Sequence, residues 1–308
     1  MGVPQSTTLF GRNTPGGVFT ISDLGYTTGA VWFVNSASGT NSVGYGYSPD
    51  APFASVDYAM SQVNVSKADR VYVMPGHTET LTAAGTSVGN GGVFIGNTLS
   101  AGVQIIGLGT GRLRPTFNYT TAAAASMNIG AANVLLRNLV FTPNGVASVT
   151  AAINVTAADV WIDGCEMQIS TGTNACVLGI LTAATATRFT VTNSRFLGPQ
   201  VSTQTCTAAI QHESGVDFNI SNNLFNFKWT NAILNVATVL QGLIDSNRFV
   251  GGNATTAVTL AAATTAFVVN NRFNTGGGTA PVVAAAGFVA GNVYSAAAGV
   301  TAGSAITW

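Results

Sequence analysis

The stretch "IDSNRFVGGN" (Ile244–Asn253) is followed by "VNNRFNTGGG" (Val269–Gly278), so an Asn-Arg-Phe triplet is written twice in one setting. Working outward, an aromatic or large residue closes the same phrase at Phe141, Met167, Phe196, Phe225, Phe249, Phe273 and Tyr294, in steps of 26, 29, 29, 24, 24 and 21. Five residues before each anchor stands an aliphatic: Leu136, Ile162, Val191, Ile220, Ile244, Val268 and Val289. Eight to fourteen residues after it, a small residue or Pro precedes Ile153, Ile180, Ile210, Ile233, Val258, Val282 and Ile306. Three apolar columns thus recur per repeat, on short segments with the two-residue alternation of half-buried strands, as in "RFTVTN" and "DFNISN". Three short strands per step describe one turn of a coil in which each strand pairs with its counterpart in the next turn. The fold expected is all-β: a single-stranded right-handed parallel β-helix.

That architecture reads the triplet as scaffold. Asn223, Asn247, Asn271 and Asn292 stand two before the anchor, at the bend between two strands. Asn tolerates the left-handed region and its amide can bond the same amide one turn away, so the four are expected to be left-handed and to form a ladder. The Phe after each turns inward and stacks. Arg195, Arg248 and Arg272 then point outward in a row, with Glu166 in their register.

Composition narrows the functions. Charged residues are 7% of the 308, against about 25% in ordinary soluble domains, so the surface must be largely hydroxyls and amides. Lys+Arg and Asp+Glu balance at 11 each, which argues against nucleic acid and anionic membranes as partners. No run of about 18 apolar residues offers a membrane insertion, and "MGVPQSTTLF" lacks a secretory profile, so synthesis in the cytoplasm is expected. Cys165, Cys176 and Cys206 have no metal spacing; free thiols, no metal and no cofactor are expected. Cys176 and Cys206 each stand four before an inward Ile and should stack in adjacent turns, reduced.

Upstream the period stops. Residues 1–30, rich in Gly, Pro, Thr and Ser, read as an extended arm; 31–70 as an opening strand, "VWFVNSASG", and a capping helix; 71–308 as the β-helix. "SPDAPFASVDYAMSQVN" has helical apolar spacing with Ser55 as the cap, a lid over the first turn. "GYGYSPDAPFASVDYAM" followed by "DRVYVMPGHTET" resembles the opening segment of pectate-lyase-like right-handed β-helix proteins, many from phages and prophages. There a G-x-S-P-x-x-P-F-x-T-I motif leads through a capping helix to a G-D-x-I-x-V-x-P-G strand; Ala68-Asp69-Arg70 departs from its Gly-Asp turn. The motif covers residues 39–81 and specifies fold rather than activity.

The family includes polysaccharide lyases and hydrolases, so the resemblance alone leaves either chemistry open. Hydrolysis needs two carboxyls about 5–10 Å apart, and elimination a base with a cation. Asp163 and Asp245 share a register but stand three turns apart, and Glu213 and Asp217 flank a bend. Asp163, Glu166 and Arg195 could serve a lyase, yet Glu166 and Arg195 read as a surface ion pair between adjacent turns. His77 and Glu79 read as turn chemistry, and His212, between Thr182 and Asn235, as a satisfied polar ladder in the core.

Two functions follow. The resemblance implies a non-enzymatic phage virion component, such as a capsid decoration, head fibre or spike, made in the host cytoplasm. It would be a parallel homotrimer docked to other virion proteins through residues 1–30, with host-surface polysaccharide as a further partner. The alternative is an extracellular or tailspike-like polysaccharide lyase or glycoside hydrolase, with the loops Thr142–Ala152, Gln168–Gly179 and Leu197–Ala209 as groove walls. Outward positions beside the Ile/Val column, Leu234, Val236, Ala261, Val283 and Ala285, form an apolar strip expected to bury against a partner copy.

Overall fold

The structure, a computed structural model, describes residues 13–14, 17–18, 29–63, 68–96, 100–119, 122–143, 149–169, 176–198, 206–213, 215–226, 229–250, 256–274, 282–283 and 288–294. Three parallel sheets run along a right-handed coil. Sheet I has 10 strands, from Val31–Val34 to Phe288–Ala290; sheet II has 9, from Thr78–Leu81 to Val293–Tyr294; sheet III has 8, from Val93–Ile95 to Val282–Val283. Each strand of sheet III closes one turn begun in sheet I.

The three apolar columns pair residue for residue. Leu136, Ile162, Val191, Ile220, Ile244, Val268 and Val289 are successive partners in sheet I. Phe141, Met167, Phe196, Phe225, Phe249, Phe273 and Tyr294 are partners in sheet II. Ile153, Ile180, Ile210, Ile233, Val258 and Val282 are partners in sheet III, while Ile306 lies outside the described residues. The coil also extends upstream of the sequence repeat, through Phe117 above Phe141 and Ile105 and Val71 above Leu136. There the corner is turned by Gly109 and a 3-10 turn at Gly111–Leu113, so no Asn marks it.

The asparagine ladder is present, with one correction. Nδ2 of Asn223, Asn247 and Asn271 each donates to Oδ1 of the next Asn at 3.0 Å, and each backbone N–H donates to the same oxygen. The left-handed residue, however, is the one before: Asn222, Ser246, Asn270 and Gly291, with φ of 58, 57, 56 and 63°. Backbone reversal and side-chain bonding are split between neighbours, because the ladder Asn must aim its amide along the coil axis. Upstream the ladder continues through Ser194, whose N–H donates to Asn223, and Cys165, whose N–H donates to Ser194 Oγ.

The short helix Val56–Gln62 is capped by Ser55, whose Oγ accepts from Tyr58 N at 3.2 Å. It buries Val56, Ala59 and Met60 into the same core as Val34, Val71 and Val93, covering the exposed end of the stack. Residues Asn13–Thr14 and Gly17–Val18 pair as a two-stranded antiparallel ribbon; of the rest of the expected arm only residues 29 and 30 are among the described residues.

Candidate functional site

The candidate carboxylates and cations are distributed as fasteners between turns. Asp163, buried, accepts from Thr192 Oγ1 (2.9 Å) and Asn193 Nδ2 (2.8 Å) in the next turn and pairs with Arg137 Nε (3.4 Å) in the previous one. Asp245 accepts from Asn270 Nδ2 at 2.9 Å. Three registers separate these two carboxylates, through Thr192 and Ser221. Glu166 and Arg195 do meet, at 3.3 Å, but the expected surface pair is corrected: Glu166 is 7% exposed, because Arg114, at 3.1 Å, covers its other side. Arg114 also donates to the carbonyls of Leu139 and Gly164, so one guanidinium ties three turns.

His77 and Glu79 form a clamp rather than a simple turn. His77, fully buried, accepts from Ser36 N at Nδ1, which places its proton on Nε2, 3.2 Å from Glu79 Oε2. The same oxygen accepts from Val56 N at 2.8 Å, the first residue of the capping helix. A carboxylate at a helix start satisfies an otherwise orphaned N–H, so this cluster fastens the lid.

His212 departs from the satisfied ladder expected of it. Nδ1 meets Thr182 Oγ1 at 2.5 Å and Asn235 Nδ2 reaches the His212 carbonyl at 3.2 Å, but Nε2 is buried with no hydrogen-bond partner. The thiols of Cys176 and Cys206 are free, buried and close enough to hydrogen-bond; that contact, with burial, raises the Cys176 pKa well above the ordinary thiol value.

The feature that sequence reasoning missed is a cleft of about 610 Å³ on the outer face of sheet III. Two outward columns make it. Phe94, Asn128, Asn154 and Leu181 form one wall and are successive register partners, apart from Gln211, which follows Leu181. Gly96, Gly130, Thr156 and Ala183 form the floor, ending at Glu213. Gly96 is needed there: a Cβ on it would lie 1.8 Å from the Phe94 ring, which folds over it. Ser126 Oγ and Asn154 Nδ2 both donate to Asn128 Oδ1, at 3.0 and 2.8 Å, and this fixes the Asn128 amide. Glu213 Oε1 accepts from Gln211 Nε2 at 2.8 Å. Asp57 in the capping helix accepts from Phe94 N at 3.3 Å and from Gly89 N, so the lid braces the upper end of the cleft. Burial raises the Asp57 pKa despite those two donors. The sequence carried a signal, an outward column of small residues, but that column is visible only once the strands are in register.

The interface strip is uneven. Val236 and Val283 are exposed and Ala261 half-buried, while Leu234 is half-buried against a cluster of Ala151, Leu178 and Ala208 outside the coil; Ala285 lies outside the described residues. In the expected loop walls, residues 144–148, 170–175 and 199–205 also lie outside them.

No family model and no curated protein matches the chain. Two crystal structures of a GH136 lacto-N-biosidase from Eubacterium ramulus are similar in fold. The selenomethionine derivative gives a TM-score of 0.40 at 10% identity, over 86% of this chain and 67% of that one. The native protein gives 0.36 at 11%, over 86% and 68%.

Proposed function

We propose that the chain is a non-enzymatic structural protein of a virion surface, a capsid decoration, head fibre or spike. In this reading the β-helix is a rigid post and its third sheet a saccharide-contact face. One observation carries the non-catalytic part: Asp163, Glu166, Arg195 and Asp245 are each bonded to a residue of a neighbouring turn, leaving them as fasteners. The phage setting rests on the resemblance of residues 39–81. The cleft supports attachment, since an aromatic ring, fixed amides and a carboxylate in rows one turn apart suit the apolar face and hydroxyls of a pyranose chain. A parallel homotrimer, with residues 1–30 reaching toward other virion proteins, completes the proposal.

The alternative, a tailspike-like or secreted lyase or hydrolase, draws on Glu213, a carboxylate in the same cleft. Hydrolysis would ask for a second carboxyl within about 5–10 Å, and among the described residues the cleft lining supplies only Glu213. The deciding experiment is a reducing-sugar and unsaturated-uronate assay on host polysaccharides with wild type, Asp163→Asn, Glu213→Gln and Asp245→Asn. No cleavage by the wild type is expected; cleavage that falls more than about tenfold in any variant would establish the enzyme instead.

A further inference from the structure

His212 sits buried inside the coil, midway along it. On its own sheet Thr182 lies one turn before and Asn235 one turn after. From sheet I the Phe189 ring lies parallel to the imidazole at 6.3 Å and the Phe218 ring meets it edgewise at 5.0 Å. Asn235 is itself committed, its Oδ1 accepting from Thr264 Oγ1 and Ala261 N. The nearest charges in sequence face outward: Glu213 lines the sheet III cleft, exposed Asp217 lies beside Phe218, and exposed Arg188 is paired with Asp159. Among the described residues, then, no carboxylate or free carbonyl faces the imidazole from any strand packed on it.

A proton on Nδ1, donated to Thr182 Oγ1, leaves no unmet donor in the neutral ring and makes the partnerless Nε2 a bare nitrogen. We propose that His212 is an acid-triggered joint: protonation then creates an N–H at Nε2 for which the closed coil has no acceptor, and the strands of sheet III part around it. The balance of effects supports opening over accommodation. A phenyl ring parallel at 6.3 Å and another edgewise at 5.0 Å offer a cation only weak attraction, whereas burying an imidazolium without a hydrogen-bond acceptor costs more. Consistent with that balance, burial pushes the His212 pKa down to about 4. A group whose folded pKa lies below its unfolded value of about 6.5 costs nothing above that pH and destabilises as pH falls toward 4. At pH 5 the opening equilibrium should rise roughly 20-fold relative to pH 7.

The test is hydrogen–deuterium exchange at pH 7 and pH 5, corrected for intrinsic rates, read at the amides of Ile180, Ile210, Ile233 and Asn235. Their protection should fall roughly 20-fold in the wild type and stay constant in His212→Asn, while amides of Val71 and Ile105 change in neither. An equal fall in His212→Asn, or none in the wild type, overturns the joint. Should His212→Asn fail to fold, the ¹⁵N shifts of the wild-type imidazole decide. A ring still neutral at pH 5 supports the proposal, and one that protonates above pH 6 while folded overturns it.

Discussion

At the corner between sheets I and II, Ser246 and Asn247 have opposite requirements. Ser246 is exposed and held at φ 57°, a region that costs an L-residue about 1–2 kcal/mol and that Asn enters more readily. Its counterparts one turn away on either side are Asn222 and Asn270. Ser246→Asn is therefore expected to stabilise by about 0.5 kcal/mol. Asn247 is 1% exposed and its side chain makes four hydrogen bonds, to Ile220, Asn271 and twice to Asn223. Asn247→Ala leaves buried donors unmet and should cost roughly 2–4 kcal/mol. Urea midpoints that move in the same direction for both substitutions would refute this division of labour.

The aromatic column of sheet II shows how far such reasoning extends along an element. Phe196, Phe225, Phe249 and Phe273 stack with centroids 4.7–4.9 Å apart and planes within 6°. Met167 interrupts the column between Phe141 and Phe196, beside a small void lined by those three residues. Met167→Phe should continue the stack and stabilise by about 1 kcal/mol, provided Gly179 stays small, since even a Cβ there would meet the Met167 sulfur at 2.7 Å. A lower thermal midpoint for Met167→Phe would show that the gap is set by Gly179 and the backbone rather than by side-chain choice. The columns were legible in the sequence because each turn repeats an inward residue at nearly constant spacing, and the strands cannot slip without turning Ile244 or Phe249 to solvent. What escaped was whatever depends on contacts between turns. Arg114 covers Glu166 from 52 residues away, and Glu79 caps a helix that precedes it. In sheet III the small residues before the Ile/Val column, Ala152, Ala209, Ala232 and Ala257, join the core alongside it, so the outward pattern before them changes parity.

For the whole molecule, the proposed lateral association has a sharper target than the sheet III strip. On sheet I the later turns expose Leu240 (51%), Phe267 (54%) and Phe288 (48%), larger side chains than Val236 or Val283. If copies associate along both faces, Leu240→Asp with Phe267→Asp should lower the mass seen by light scattering more than Val236→Asp with Val283→Asp. A monomeric wild type would remove the assembly altogether. A different consequence follows from the corner between sheets I and II. From Leu135–Arg137 onward, two residues always separate a sheet I strand from the sheet II strand after it, as between Asp245 and Arg248 or Val269 and Arg272. With that corner fixed and each turn closing on its own columns, the cross-section does not depend on how many turns are present. Length is then a counting variable: duplicating the 24-residue unit from Asn223 to Ser246 should yield a rod longer by one strand spacing, about 4.8 Å, and equally wide. The gene would adjust the reach of the protein in whole-number increments, as a ruler is lengthened by one graduation.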